Sequence, residues 1–197
     1  MTKVKICGLK RTEDTKIVNE YLPEYAGFVF ANSKRKIDIE TAKILRAHLD
    51  NRIKVVGVFV DEDINVIVDM VKSGIIDMVQ LHGGESEEYI GKLKEEVKAP
   101  IIKAFGIKNK DDIGAAMQSL ADYILLDNHI PGSGKSFDWD YLASINRKFF
   151  LAGGINPQNI DKALEANPHV IDVSSGVETN GFKDKAKIEE IIRRIRE

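Results

Sequence analysis

Residues 149–177 read FFLAGGINPQNIDKALEANPHVIDVSSGV, and this stretch decides the fold. A short apolar run, Phe149 to Ala152, ends on Gly153-Gly154. Asn156-Pro157 then has the form of a helix N-cap followed by proline at the first helical position. A second apolar run, Val170 to Ser174, ends on Ser175-Gly176. One strand–helix–strand unit is thus complete within 29 residues, which is the spacing of a parallel crossover.

Working outward, the same unit recurs to both ends of the chain. Apolar runs at Val4 to Cys7, Ala26 to Phe30, Ile53 to Val60, Ile75 to His82, Ile101 to Phe105 and Tyr123 to Asp127 bring the strands to eight. The segments between them carry helical spacing, as in Ile64, Ile67, Val68 and Val71, or Ile113, Ala116, Met117 and Leu120. A last helix follows the eighth strand, with Ile188, Ile191, Ile192 and Ile195 on one face. Each segment reads as a helix with one apolar side. Ser86 and Asp138 stand where caps belong. Continuous alternation implies a parallel sheet covered by helices. Residues 1–197 are therefore expected to form a single α/β domain, a parallel (β/α)8 TIM barrel of about 25 residues per unit. An open doubly wound sheet uses the same alternation, but no G-x-G-x-x-G follows the first strand and no Walker-type loop occurs.

Composition narrows the function classes. With 43% hydrophobic residues the chain can bury one sizeable core. Lys+Arg 29 against Asp+Glu 31 gives a formal net charge of -2, so no global positive field exists for nucleic acid or an anionic membrane. The single cysteine excludes an intramolecular disulfide, no signal-peptide pattern opens the chain, and no apolar run approaches the roughly 20 residues of a membrane span. A cytoplasmic protein is expected. No Cys/His cluster has zinc spacing, so no metal is expected either.

Barrel enzymes carry their reacting groups at the carboxyl ends of the strands, with phosphate often held after strands seven and eight. Those are the positions of Gly153-Gly154 and Ser175-Gly176, whose small residues let backbone N–H groups approach an anion. Glycines also serve simply to make tight turns; the pairing of two such loops at adjacent strands favours phosphate. A loop from Asn128 to Ser136 follows strand six and is placed to cover a ligand. Alternation puts Lys5 with Cys7, Gln80 with His82, Asp172 with Ser174, and Asp127 with Leu125 and Tyr123 on shared faces. Buried polar groups at these strand ends need partners, which suggests a functional upper layer. Taken singly, Cys7 reads as a small buried hydrophobe, Asp127 and Asp61 as turn caps, and His82 as a satisfied core histidine.

These residues also fall into a recognisable set. Lys5-Ile6-Cys7-Gly8-Leu9, Gly27-Phe28-Val29-Phe30, Val56-Gly57-Val58-Phe59, Val79-Gln80-Leu81-His82-Gly83, Leu125-Leu126-Asp127, Gly132-Ser133-Gly134 with Phe137-Asp138-Trp139, Leu151-Ala152-Gly153-Gly154-Ile155 and Asp172-Val173-Ser174-Ser175-Gly176-Val177-Glu178 run in order along the chain. Together they resemble phosphoribosylanthranilate isomerase of tryptophan biosynthesis. The resemblance implies a cofactor-free Amadori rearrangement of a small phosphorylated sugar, N-(5′-phosphoribosyl)anthranilate, to a 1-amino-2-ketose. It implies Cys7 as general base and Asp127 as general acid, with Arg35 on the anthranilate carboxylate, His82 and Asp172 lining the pocket, and phosphate on Gly153, Gly154, Ser175 and Gly176. An aspartic acid is ordinarily ionised and a thiol ordinarily protonated at neutral pH, so each group must act from its minority form or be shifted. Lys5 is expected to favour the Cys7 thiolate. The arm before Arg35 departs from the family's S-P-R, having Ser33-Lys34-Arg35, and Pro131 precedes Gly132 in the loop after strand six.

Rival readings follow from the same features. The histidine-pathway sugar isomerase performs this rearrangement on another phosphoribosyl compound, but resembles a duplicated half-barrel with an aspartate where Cys7 stands. Indole-glycerol-phosphate synthase calls for a catalytic lysine pattern and a longer amino-terminal extension. A non-catalytic phosphate-binding barrel would keep the glycine loops and tolerate loss of Cys7 and Asp127. The chain is expected to act as a monomer or a homodimer.

Overall fold

A computed structural model describes residues 1–129 and 136–197. Eight parallel strands close into a barrel in sequence order: β1 (Lys3–Cys7), β2 (Tyr25–Val29), β3 (Lys54–Phe59), β4 (Met78–Leu81), β5 (Ile101–Ile107), β6 (Tyr123–Asn128), β7 (Phe149–Leu151) and β8 (Val170–Val173). β8 returns to β1, with Lys5 opposite Asp172, which closes the ring. Helices α1 (Thr12–Tyr21), α2 (Ile39–His48), α3 (Ile64–Lys72), α4 (Glu87–Glu96), α5 (Lys110–Met117), α6 (Ile160–Glu165) and α7 (Lys185–Arg196) cover the outside. α7 buries the four isoleucines whose spacing announces it. α5 forms despite Gly114 because Asn109 and Asp112 make a reciprocal capping box.

Two local expectations are corrected. Between β6 and β7 the chain makes a 3-10 helix, Trp139–Ser144, rather than an α-helix; Asp138 does cap it, accepting from the Asp140 N–H. Asn156 does not cap α6 but makes a turn, accepting from the Gln158 N–H, and Asn159 takes the N-cap position. The loop expected to cover a ligand, Asn128 to Ser136, lies largely outside the described residues.

An antiparallel pair not anticipated from the sequence, β9 (Glu178–Thr179) and β10 (Phe182–Lys183), follows β8. Asn180 and Gly181 both have positive φ, 52° and 77°, the conformation of a type I′ hairpin turn. This turn folds Lys183 back onto Glu178.

The barrel interior divides into two levels. Tyr25, Val56, Met78, Ile102, Leu125, Phe150 and Val170 form an apolar plug. Above it, Cys7, Val29 and Val58 share a layer with polar side chains. The plug fills the barrel axis, and the polar layer above it opens to a cavity at the end where the strands terminate.

Candidate active site

At that end lies a cavity of about 470 Å³. Cys7, His82, Asp127 and Asp172 reach it from strand ends, Arg35 from the β2 loop, and Gly153, Gly154, Ser175 and Gly176 from the β7 and β8 loops. Every site residue expected from the sequence therefore lines one space. Cys7 and Asp127 approach it from β1 and β6, which stand three strands apart around the ring.

Cys7 is held by its surroundings on three sides. On β2, a Cβ at Gly27 would come within 2.6 Å of the Cys7 Sγ, so glycine is what leaves room for the thiol. The Ser174 hydroxyl donates to the Cys7 carbonyl at 3.1 Å. Beneath the thiol, Lys5 is wholly buried, its Nζ donating to Asp172 Oδ2 at 2.7 Å and to Gln80 Oε1 at 2.5 Å. Burial pushes the Cys7 thiol above its ordinary pKa and Asp172 adds to this, while Lys5 and Lys183 pull it down without prevailing. The expectation that Lys5 favours the thiolate is right in direction, but desolvation is the larger effect. Lys5 itself is penalised by burial, yet Asp172 and Cys7 together outweigh this and raise its pKa above the ordinary value.

Gln80 extends the network across the barrel floor. Its Nε2 lies 2.9 Å from His82 Nδ1, and His82 Nε2 lies 3.6 Å from Asp127 Oδ2. Asp127 Oδ1 accepts the Asn128 N–H at 2.7 Å. Gly153, with φ of 88°, presses against this carboxylate; a Cβ there would sit 2.8 Å from Asp127 Oδ1. Asp172 Oδ1 is buried with no hydrogen-bond partner among the described residues.

Arg35 reaches the cavity by lying across Gly8, which has a φ of 83° and whose missing Cβ gives the arginine stem its path. Its Nε and Nη2 each donate to Glu178 at 2.8 Å. Lys183 donates to Glu178 Oε1 at 2.7 Å and to the Ser174 carbonyl at 3.1 Å. Although burial works against it, these two cations hold the Glu178 carboxyl at about 2. Glu178 and Lys183 are not among the site residues expected from the sequence. Lys183 sits in the charged run Phe182-Lys183-Asp184-Lys185 and looks solvated; the preceding Asn180-Gly181 was the signal that it folds inward.

The two glycine loops are packed on each other. A Cβ on Gly176 would strike the Ile155 carbonyl oxygen, so only glycine lets the β8 loop close against the β7 loop. On the opposite rim, Asp61 Oδ1 accepts the Gly84 N–H at 2.8 Å, and Glu85 accepts the Asp61 N–H at 2.9 Å. Lys103, buried beneath, donates to Glu85 Oε2 at 2.8 Å and to the Gly83 carbonyl at 2.6 Å. Asp61 thus joins the loops after β3 and β4, beyond a simple turn cap. Among the described residues no group of side chains has the arrangement of a metal site, and no helix is long and apolar enough to cross a membrane.

Comparison with known proteins gives a consistent result. Residues 4–194 match the family described as N-(5′-phosphoribosyl)anthranilate (PRA) isomerase. A relative named N-(5′-phosphoribosyl)anthranilate isomerase, from Endomicrobium trichonymphae, is 51% identical, the match covering 100% of this chain and 99% of that one. The crystal structure of phosphoribosyl anthranilate isomerase from Thermotoga maritima superposes with a TM-score of 0.90 at 36% identity, covering 100% and 99% of the two chains. A phosphoribosyl anthranilate isomerase solved in complex with reduced 1-(o-carboxyphenylamino)-1-deoxyribulose 5-phosphate superposes at 0.85, with 35% identity and the same coverage.

Proposed function

The chain belongs to the phosphoribosylanthranilate isomerase family, and we propose that its barrel-mouth cavity performs the rearrangement with Cys7 as general base and Asp127 as general acid. The reaction converts N-(5′-phosphoribosyl)anthranilate to 1-(o-carboxyphenylamino)-1-deoxyribulose 5-phosphate, in tryptophan biosynthesis. The observation that carries the assignment of roles is the single cavity lined by a thiol and a carboxyl from well-separated strands.

The substrate divides into three parts, and the cavity offers each a suitable wall. Gly153, Gly154, Ser175 and Gly176 present small residues at adjoining strand ends, and their backbone N–H groups take the phosphate. The anthranilate carboxylate goes to Arg35. Glu178 occupies the Nε and Nη2 donors on one edge, and Nη1 has no protein partner among the described residues, leaving a forked donor for a carboxylate. The ribose lies between, bordered by Asp172 and His82.

With the sugar so placed, the protonated Asp127 gives its proton to the furanose ring oxygen. The C1′–O bond breaks as the anthranilate nitrogen lone pair forms an iminium. The Cys7 thiolate then removes the C2′ proton, and that electron pair forms the C1′–C2′ double bond while the iminium electrons return to nitrogen. The resulting enolamine tautomerises to the ketone as C1′ gains a proton and the C2′ hydroxyl loses one. The raised Cys7 pKa makes thiolate the minority form before substrate binds, and a stronger base once formed.

All of these groups come from one chain, so the site needs no partner subunit, and residues 1–197 act as one catalytic domain, monomeric or homodimeric, on a small molecule in the cytoplasm rather than on nucleic acid. The purified protein, in chelator and without nucleotide, is expected to form the ketose from freshly prepared phosphoribosylanthranilate. Binding of that compound without turnover would instead support a non-catalytic phosphate-binding barrel.

A further inference from the structure

We infer that Gln80 is a positioning residue that locks His82 as a neutral imidazole with its proton on Nε2, facing Asp127. The inference rests on the isomerase reading only for its catalytic consequence; the lock itself follows from hydrogen-bond bookkeeping. An ammonium can donate and cannot accept. Lys5 is wholly buried against Asp172 and stays an ammonium, so the atom of Gln80 at 2.5 Å from its Nζ must be the amide oxygen. That fixes the amide, which otherwise has two orientations. The NH2 end therefore faces His82 Nδ1 at 2.9 Å, and since it too can only donate, Nδ1 must be the unprotonated nitrogen. The ring proton belongs to Nε2, 3.6 Å from Asp127 Oδ2. An imidazolium is excluded on the same ground, because it would set an N–H against the Gln80 NH2.

The consequence reaches the acid. A histidine beside a carboxyl can ordinarily accept its proton, but His82 in this tautomer has no lone pair to offer on the facing nitrogen. The other oxygen, Asp127 Oδ1, already accepts the Asn128 N–H. A proton on Asp127 is thus kept for the ligand in the cavity. The chain from Asp172 through the buried Lys5 and Gln80 to His82 runs along the base of the cavity, which explains why Gln80, only 2% exposed, is placed where a packed barrel would ordinarily hold an aliphatic side chain.

The test is nitrogen NMR of the ligand-free protein labelled in its histidine rings, with the His82 signals identified by their loss in His82→Asn. At neutral pH the inference expects Nδ1 bare and Nε2 protonated. In Gln80→Glu, whose carboxylate can accept from Lys5 but not donate to Nδ1, the proton is expected to move to Nδ1 or the ring to become charged. Turnover number should fall about tenfold or more, part of the roughly 10²–10⁴ a positioned acid contributes, with KM little changed. A wild-type His82 protonated on Nδ1, or charged, overturns the inference, and does so even if Gln80→Glu fails to fold. Unchanged tautomer and turnover in a folded Gln80→Glu overturn it equally. Wild-type protein lacking isomerase activity would count against the proposed function and leave the tautomer result standing on its own.

Discussion

Arg35 and Glu178, 143 residues apart in sequence, meet through two parallel hydrogen bonds of 2.8 Å. The pair joins the β2 loop to the hairpin after β8 and turns one edge of the guanidinium away from the ligand space. Replacing Glu178 by Gln keeps the size and removes the charge. Loss of the fixed fork is expected to raise KM about tenfold, equivalent to about 1.4 kcal/mol, with a smaller change in turnover number. Steady-state kinetics check this, and an unchanged KM argues against Arg35 as the carboxylate anchor.

The same carboxylate makes stability depend on acid. Its folded pKa of about 2 lies below its ordinary 4.5, so its contribution is complete above about 4.5 and is lost as pH falls toward 2. Denaturant melts of wild type and Glu178→Gln are expected to converge over that window. Parallel curves down to pH 2 would show that the pair contributes nothing.

Lys5 lowers the Cys7 pKa against the upward push of burial. In Lys5→Met the thiol pKa is therefore expected to rise further, read from the pH dependence of its alkylation rate. An unchanged midpoint removes Lys5 from the activation of the thiol. A melting curve run beside it tells whether Asp172, left buried without its cation, has unfolded the barrel.

Gly176 is tested by a single methyl. Gly176→Ala places a Cβ against the Ile155 carbonyl and must separate the β7 and β8 loops. The KM for phosphorylated substrate is expected to rise at least about tenfold while the circular dichroism spectrum stays that of the wild type. Normal affinity would move the phosphate elsewhere.

The Lys103–Glu85 pair tests the rim. Both side chains are buried, and Lys103→Met strands a carboxylate that also accepts the Asp61 and Gly83 N–H groups. A loss of about 3–5 kcal/mol is expected in equilibrium unfolding; a change below about 1 kcal/mol would mean the carboxylate finds water or a proton easily.

Much of this was legible in the sequence because barrel strands announce themselves by short apolar runs at regular spacing. The glycine pairs after the last two strands were legible for a related reason, since close packing such as that of Gly176 on Ile155 admits no side chain. Alternation likewise put Lys5 beneath Cys7 and Gln80 beneath His82, but not what they bond, because Lys5 meets Gln80 75 residues away and Asp172 167 away. Lys183 was not legible because two residues, Asn180 and Gly181, turn an otherwise solvated charged run inward. The short 3-10 segment between β6 and β7 was missed because an Asp cap such as Asp138 serves either helix type.

The central claim is that Cys7 and Asp127 work on one sugar from opposite sides. Its most direct measurement is the turnover number of Cys7→Ser and Asp127→Asn, each shown to be folded by circular dichroism, with the wild type alongside. The account predicts a fall of about 10²–10⁴-fold or more in each variant; near-normal turnover in either would contradict it.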